Sequence, residues 1–450
     1  MKNITSILVH VLFLYALAWG VPFLVYVLLS LGGIDVTPGV YIVVVLSLFV
    51  TACALCLEMW ASLHVRNFRK TIKLYPAASA IITAYLPNEI YTIVETVEAM
   101  LSMNYPGSLQ IILAYNTPRV LAVEKKLQSI AKRDARLVLF QVPTSTSKAQ
   151  NINAALSRVT GEFVGIFDAD HLPDRNSFRR AWKWLARGYD VVQGHCVVRN
   201  GGHSLLTRAI AVEFEGIYAV SHPGRSVLHG YGIFGGSNGY WKTDILRGIG
   251  MNSDMLTEDI DASVRSLLAG HTIANDPRLI SRELAPVSLT SLWNQRVRWA
   301  QGWFQVTLRY MGQGLRSKKL TLRQKIGLSY LLGWREIYPW ISLQIPPLLA
   351  YWVWKYRGIN HLNWFIPVFV AITVFTQLVT PMQIVVSYIL ADRKVRKHKM
   401  WFIWYTIFNV LLYATLKRVI SLVAQLKELQ NVREWNITAR HSVVTIPSQV

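Results

Sequence analysis

Phe163-Val164-Gly165-Ile166-Phe167-Asp168-Ala169-Asp170-His171-Leu172-Pro173-Asp174 runs five mostly apolar residues straight into two carboxylates one residue apart. A continuous apolar run of that length, rich in Val, Ile and Phe, reads as a strand buried on both faces, as inside a parallel sheet. Open α/β sheets place their ligands outside the carboxyl ends of such strands. Side chains at i and i+2 of an extended segment point the same way, so Asp168 and Asp170 can converge on one cation or one polar ligand. A surface turn is the competing reading, since Asp and Pro are ordinary turn residues.

The flanking sequence has the texture such a strand needs. Between about residues 77 and 286, short β-rich runs alternate with helical segments. Strands are expected at 79–83, 109–115, 137–142 and 163–167, with helices at 89–103, 120–133 and 147–158. That alternation predicts βαβ units and a parallel sheet.

The chain as a whole carries too few charges for an ordinary soluble protein, so part of it is expected in lipid. Of its 450 residues 52% are hydrophobic and 16% charged, against about 25% charged in ordinary soluble domains, and mean hydropathy is +0.30. Residues 4–31 and 40–64 form apolar runs long enough to span a bilayer core, which takes about 20 helical residues. Residues 337–354 and 364–390 read as further spans. Residues 400–429 can span or lie in the interface, because Lys417 and Arg418 interrupt their apolar run. Residues 303–315 mix Trp, Phe, Tyr and Arg as an interfacial helix does. The net charge of +22 gathers beside these runs, at Arg66–Lys73, Arg316–Lys325 and Arg393–Lys399. That is the pattern of cytoplasmic flanks and contact with anionic lipid, and no basic-aromatic module argues for nucleic acid. The linker at residues 32–38 has no Lys or Arg, so the first hairpin is expected to start and end in the cytoplasm. Cys53 and Cys56 lie inside an apolar run without a second pair, and together with Cys196 they suggest no disulfide framework.

Four further constellations can carry chemistry. Tyr85, Pro87, Asn88 and Glu89 form a polar turn after the first strand. Ser147-Lys148 opens a helix, whose N-terminus favours anions, so Lys148 can face a phosphate or simply be solvated. Thr257-Glu258-Asp259-Ile260-Asp261 can be a helix cap or the source of a general base. Gln295, Arg298 and Trp299 share a helical face by their spacing. Arg298 there offers a planar fork for diphosphate, and Trp299 a flat face for a sugar, or both are interfacial anchors. Gly230–Gly235 spells GxGxxG but does not open a strand-turn-helix unit, so the dinucleotide reading fails. The glycines running to Gly235-Gly236-Ser237 instead let a ligand approach the backbone.

In order, strand-Asp-Ala-Asp, Gly-Ser loop, Thr-Glu-Asp and Gln-x-x-Arg-Trp, bracketed by spans, resemble the membrane-integrated family 2 glycosyltransferases. That group includes cellulose, chitin, poly-N-acetylglucosamine and hyaluronan synthases. The resemblance covers about residues 77–303 and the flanking spans. It implies a cytosolic α/β domain of GT-A type with a mostly parallel sheet, inserted between transmembrane helices and bordered by interfacial amphipathic helices. The expected divisions are a transmembrane hairpin at 1–66, the transferase domain at 77–300, interfacial helices at 301–336, a second transmembrane region at 337–430 and a cytoplasmic tail at 431–450.

The resemblance also implies roles. Asp259 is the general base and Asp170 the ligand of a Mg2+ or Mn2+ ion. Tyr85, Glu89, Asn116, Lys148, Asp168, Gln295 and Arg298 bind the nucleotide-sugar, and Ser237, Glu258 and Trp299 meet the acceptor. The family usually carries an aspartate after its second strand to bind uracil. Here Asn116 stands there, and its carbonyl oxygen can still accept from the uracil N–H. Residues 435–440 resemble a C-terminal W-x-x-T-x-R signature. The implied partners are a UDP-sugar, a growing glycan or lipid acceptor, membrane lipids and accessory export subunits. The implied place is the cell membrane, with the catalytic domain in the cytoplasm.

Overall fold

The apolar runs read from the sequence fold into one mixed sheet because each needs cover on both of its faces. The computed structural model describes residues 2–68, 72, 74–358 and 366–432. Its strands are β1 (Ala78–Tyr85), β2 (Leu109–Asn116), β3 (Leu137–Gln141), β4 (Phe163–Asp168), β5 (Leu172–Pro173), β6 (Val191–Val198), β7 (Gly239–Lys242) and β8 (Ile273–Glu283). They lie in the order β3-β2-β1-β4-β7-β6-β8-β5. β3, β2, β1 and β4 pair in parallel, as expected. β7 then runs antiparallel between β4 and β6, β8 is parallel to β6, and β5 is antiparallel to β8. The sheet is therefore mixed, with its parallel half built first in the chain.

Alternation puts Ala80, Ile82, Phe163 and Phe167 into one buried cluster and Ile81, Ile112, Val164 and Ile166 into the other, one on each face. Register aligns the strand ends: Tyr85 lies opposite Asn116, and Thr83 opposite Asp168. Three of the expected site residues thus come to one edge of the sheet without any long-range folding information beyond strand length.

Among the described residues, two helices are long and apolar enough to cross a membrane, at Leu12–Leu31 and Thr37–Ser62. Both expose large apolar side chains, such as Leu12, Leu28, Val43 and Leu46, which water would penalise. The second is tied to the α/β domain by a half-buried ion pair, Arg225 Nε to Glu58 Oε1 at 2.8 Å. The run read as a span at 337–354 is not one helix. It breaks at Leu343–Gln344 between the helices Arg335–Ser342 and Ile345–Lys355, where Pro346 and Pro347 open the second. An 11-residue helix covers about 16 Å, half of a bilayer core. The Ile345–Lys355 helix instead packs on the N-terminal hairpin, where Tyr26 donates to Gln344 at 2.8 Å and Trp352 to Thr37 at 2.9 Å.

One helix, Leu289–Arg316, carries both the Gln-x-x-Arg-Trp segment and the aromatic stretch after it, so the expected division at residue 300 falls inside a single rod. The helix Ala414–Leu429 lies along it, with Val297 and Ala300 against Ile420 and Ala424. The W-x-x-T-x-R segment and Arg69, Lys70 and Lys73 lie outside the described residues.

Candidate active site

Lys148 stands where the parts converge. Ser147 caps the helix Lys148–Ala155 by accepting from Gln150 N, and this sends the Lys148 side chain over the carboxyl end of β4. Its ammonium lies 2.5 Å from Asp168 Oδ1 and 4.0 Å from Glu258 Oε1, and it donates to the Gly236 carbonyl at 2.7 Å. Burial alone would lower its pKa, but Asp168 and Glu258 outweigh that and raise it, so the group is a fixed cation. The sequence left open whether Lys148 faced a ligand or solvent. It faces three carboxylates.

Asp259 is the third of them. Thr257 precedes the helix Glu258–Ala269, so Glu258, Asp259 and Asp261 occupy its first turn, and Asp259 Oδ1 accepts the Ile260 N–H at 2.9 Å. Its carboxyl is pushed up to about 7, first by burial and then by the adjacent Glu258, while Lys148, the Ile260 N–H and Arg298 pull it back. A carboxylate poised near neutrality beside a cation has the properties of a general base.

The Gly-Ser loop closes the site. Gly236 has a φ of +85°, and a Cβ there would lie 2.9 Å from Asp259 Oδ2 and 3.5 Å from Lys148 Nζ, so a side chain is excluded twice. Next to it, buried Ser237 accepts the Asp168 N–H at 3.1 Å and locks the end of β4.

Asp170 is fully buried, and its Oδ2 accepts the Leu284 N–H at 3.0 Å, just past the end of β8. Beside it in sequence, His171 meets Glu283 at 3.5 Å and Ser281 at 3.1 Å, and the ligand atoms of His171, Cys196 and Glu283 lie within 4.8 Å of one another. Buried carboxylates are costly unless paired or bound to a metal. The oxygen donors of Asp170 and Asp168 suit Mg2+ or Mn2+, and these are the residues that could hold one. His171 and Glu283 carried no role in the sequence reading. Glu283 ends β8, but Asn275, Asp276, Arg278, Ser281 and Arg282 interrupt that strand, so no apolar run of the kind before Asp168 marks it.

The Gln-x-x-Arg-Trp side chains divide. Arg298 Nη1 donates to the Leu256 carbonyl at 3.3 Å and acts electrostatically on Asp259. Gln295 Oε1 is buried and, among the described residues, accepts no hydrogen bond. Trp299 turns into an aromatic group with Phe214, Tyr218, Tyr405 and Tyr413, and the Arg296 guanidinium lies 4.3 Å from its ring centre. Arg296, which the sequence did not single out, is held by Glu213 at 2.6 Å.

Tyr85, Glu89 and Asn116 sit at the neighbouring strand ends. Asn116 Oδ1 accepts from Asn151 at 3.0 Å while its Nδ2 donates to Ser145 O at 3.1 Å, which fixes the amide with one oxygen lone pair engaged. Glu89 accepts from Asn88 at 3.1 Å. This group is joined to the Lys148 cluster through the helix that carries both Lys148 and Asn151, and through the parallel pairing of β1 with β4.

Residues 76–302 match the family model described as glycosyltransferase like family 2, and the chain belongs to that family. Among curated relatives, it is 28% identical over 272 residues to the poly-β-1,6-N-acetyl-D-glucosamine synthase of Staphylococcus epidermidis, covering 57% of this chain and 61% of that one. It is 26% identical over 266 residues to a probable glycosyltransferase of Bacillus subtilis, covering 57% and 62%. The chain thus matches about three-fifths of the length of these relatives. Among solved structures, a mannosyltransferase from Pyrobaculum calidifontis in complex with GDP-Man and Mn2+ superposes with a TM-score of 0.57 at 18% identity, over 87% of this chain and 99% of that one. That likeness establishes the shared fold.

Proposed function

We propose that this chain is a processive, inverting glycosyltransferase that polymerises a β-linked polysaccharide from a UDP-sugar and passes it across the membrane. The observation that carries the reading is the cluster of Lys148, Asp168, Glu258 and Asp259, with Asp259 held near neutrality at the carboxyl edge of the sheet. The likeness to the staphylococcal poly-β-1,6-N-acetyl-D-glucosamine synthase favours UDP-N-acetylglucosamine over UDP-glucose as donor.

In this mechanism Tyr85, Glu89 and Asn116 hold the base, and Asp168 the nucleotide. Lys148, Arg298 and Gln295 face the diphosphate, which would add an anionic partner to the carboxylates that Lys148 already faces. Asp170 would hold a divalent cation, which would supply charge neutralisation for the diphosphate. Ser237, Glu258 and Trp299 position the acceptor, the last with the side of its ring away from Arg296. Asp259 takes the proton of the acceptor hydroxyl as that oxygen bonds to the anomeric carbon and the bond to the diphosphate breaks. A single displacement inverts the centre, so an α-linked donor gives a β-linked product. The two apolar helices, and the shorter apolar segment Val374–Leu390, anchor the catalytic domain at the cytoplasmic face of the cell membrane.

Purified protein in lipid nanodiscs with labelled UDP-N-acetylglucosamine or UDP-glucose and Mn2+ or Mg2+ tests this. A high-molecular-mass β-linked product is the expected result. A chloroform-soluble product would make it a glycolipid synthase instead, and no transfer from any donor would refute the transferase reading.

A further inference from the structure

The segment that carries Asp259 is braced from one side by a single helix, and that helix is itself held by a carboxylate far along the chain. Arg298, Gly302 and Gln305 lie on one stripe of the Leu289–Arg316 helix. Arg298 donates to the Leu256 carbonyl at 3.3 Å, and Gln305 Oε1 accepts the Leu256 N–H at 3.0 Å. Both polar groups of Leu256 are therefore taken by the same helix, two and three residues before Glu258 and Asp259. Between them Gly302 lies flush on Thr257: a Cβ there would come within 2.4 Å of Thr257 Oγ1. Further along, Tyr310 donates to Asp261 Oδ1 at 2.7 Å. Asp259 sits between two clamped positions, Leu256 and Asp261.

The orientation of Gln305 decides whether the first clamp can close. A carboxamide has a donor end and an acceptor end, and only the acceptor end can serve the Leu256 N–H. Glu428, on the Ala414–Leu429 helix, accepts from Gln305 Nε2 at 2.8 Å and from Gln301 Nε2 at 3.0 Å on the same oxygen, Oε2. An acceptor-only carboxylate can meet only the amide's donor end, so it turns Gln305 Oε1 towards Leu256. Gln301, Gln305 and Glu428 are all buried, which leaves little water to stand in for a lost partner. One turn earlier, Gln425 on the same helix donates to Glu336 at 2.8 Å and accepts from Trp340 at 2.7 Å. The Ala414–Leu429 helix thus joins the Arg335–Ser342 helix to the brace of the base.

We propose that Glu428 is a positioning residue for the reaction: through Gln305 and Leu256 it fixes where the Asp259 carboxylate stands. The C-terminal helix, remote in sequence from the catalytic domain, is thereby coupled to the base. This rests on the reading of Asp259 as that base.

Three variants of the full chain in nanodiscs test it: Glu428→Leu, Glu428→Gln and Gln305→Met. Glu428→Leu removes the acceptor, Glu428→Gln keeps an oxygen for the two amides, and Gln305→Met leaves Glu428 with Gln301 while deleting both the link to Glu428 and the bond to Leu256. Small misplacements of a catalytic group cost up to about 100-fold in rate. Glu428→Leu and Gln305→Met should lower kcat between about 10-fold and 100-fold, with the KM for donor and the Kd for UDP unchanged within about twofold. Glu428→Gln should recover most of the rate. Wild-type kcat in Gln305→Met, or parallel losses of kcat and UDP affinity in all three variants, would overturn the coupling. Should Glu428→Leu fail to fold, the gentler Gln305→Met and Glu428→Gln pair decides alone. Wild-type protein that transfers no sugar would refute the base itself, a result distinct from active wild type with indifferent variants.

Discussion

Replacing Glu258 by Gln removes a negative charge from the residue next to Asp259 without changing its volume much. Burial and that charge are the two largest causes that push Asp259 up to about 7. A base of that pKa is about one-eleventh ionised at pH 6 and about ten-elevenths at pH 8, so kcat/KM should rise about tenfold between them. A like charge in contact shifts a carboxyl by about one unit. In Glu258→Gln the midpoint should move to about 6, and the ratio of rates at the two pH values should fall from about 10 to about 2. Lys148 acts in the opposite sense on Asp259, so Lys148→Met should move the midpoint upward. The assay is initial-rate transfer from labelled donor at fixed divalent metal, fitted as kcat/KM against pH because that parameter reports the free enzyme. Absolute rates should fall in both variants, since both residues flank Asp259 in the proposed site; the position of the limb carries the information. A wild-type profile flat from pH 6 to 8, or a limb that rises in Glu258→Gln, would refute the electrostatic account of the base.

Three other outcomes follow from the same geometry. Gly236→Ala puts a Cβ 2.9 Å from Asp259 Oδ2 at a φ of +85°; it should cost about 1–2 kcal/mol in stability, seen as a lower thermal midpoint, and most of the activity. Chelation should abolish transfer and added Mn2+ or Mg2+ restore it, whereas Asp170→Asn should stay inactive at metal concentrations that rescue wild type. Asp259 binds its proton more tightly folded, at about 7, than the reference 3.8. The folded state therefore holds more protons between those values, and stability falls as pH rises through that window. Asp259→Asn removes this penalty, so its thermal midpoint should exceed that of wild type at pH 8 and approach it at pH 4.

The strand ends that frame this site are legible in the sequence because strand ends are local features. Apolar runs at β1, β2 and β4 stop at Tyr85, Asn116 and Asp168, and parallel register then brings those ends together. The antiparallel insertion of β7 could not be read, because Gly239–Lys242 is too short to show a period. Neither could the service done by Glu283 and Glu428, whose partners lie more than a hundred residues away. Spacing alone placed Gln295, Arg298 and Trp299 on one face. It could not say that Arg298 would reach the Leu256 carbonyl while Trp299 packed under Arg296. The break at Leu343–Gln344 was visible only as Pro346-Pro347, within a run whose hydropathy looked continuous.

The central claim is that Asp259 removes the acceptor proton while other residues hold the donor. Asp259→Asn protein, purified in nanodiscs beside wild type, should be assayed for sugar transfer and for UDP binding by calorimetry in the same buffer. The account predicts transfer reduced to background with the Kd for UDP within about threefold of wild type, since binding rests on other groups. Transfer persisting near the wild-type rate, or UDP binding lost together with activity, would contradict it.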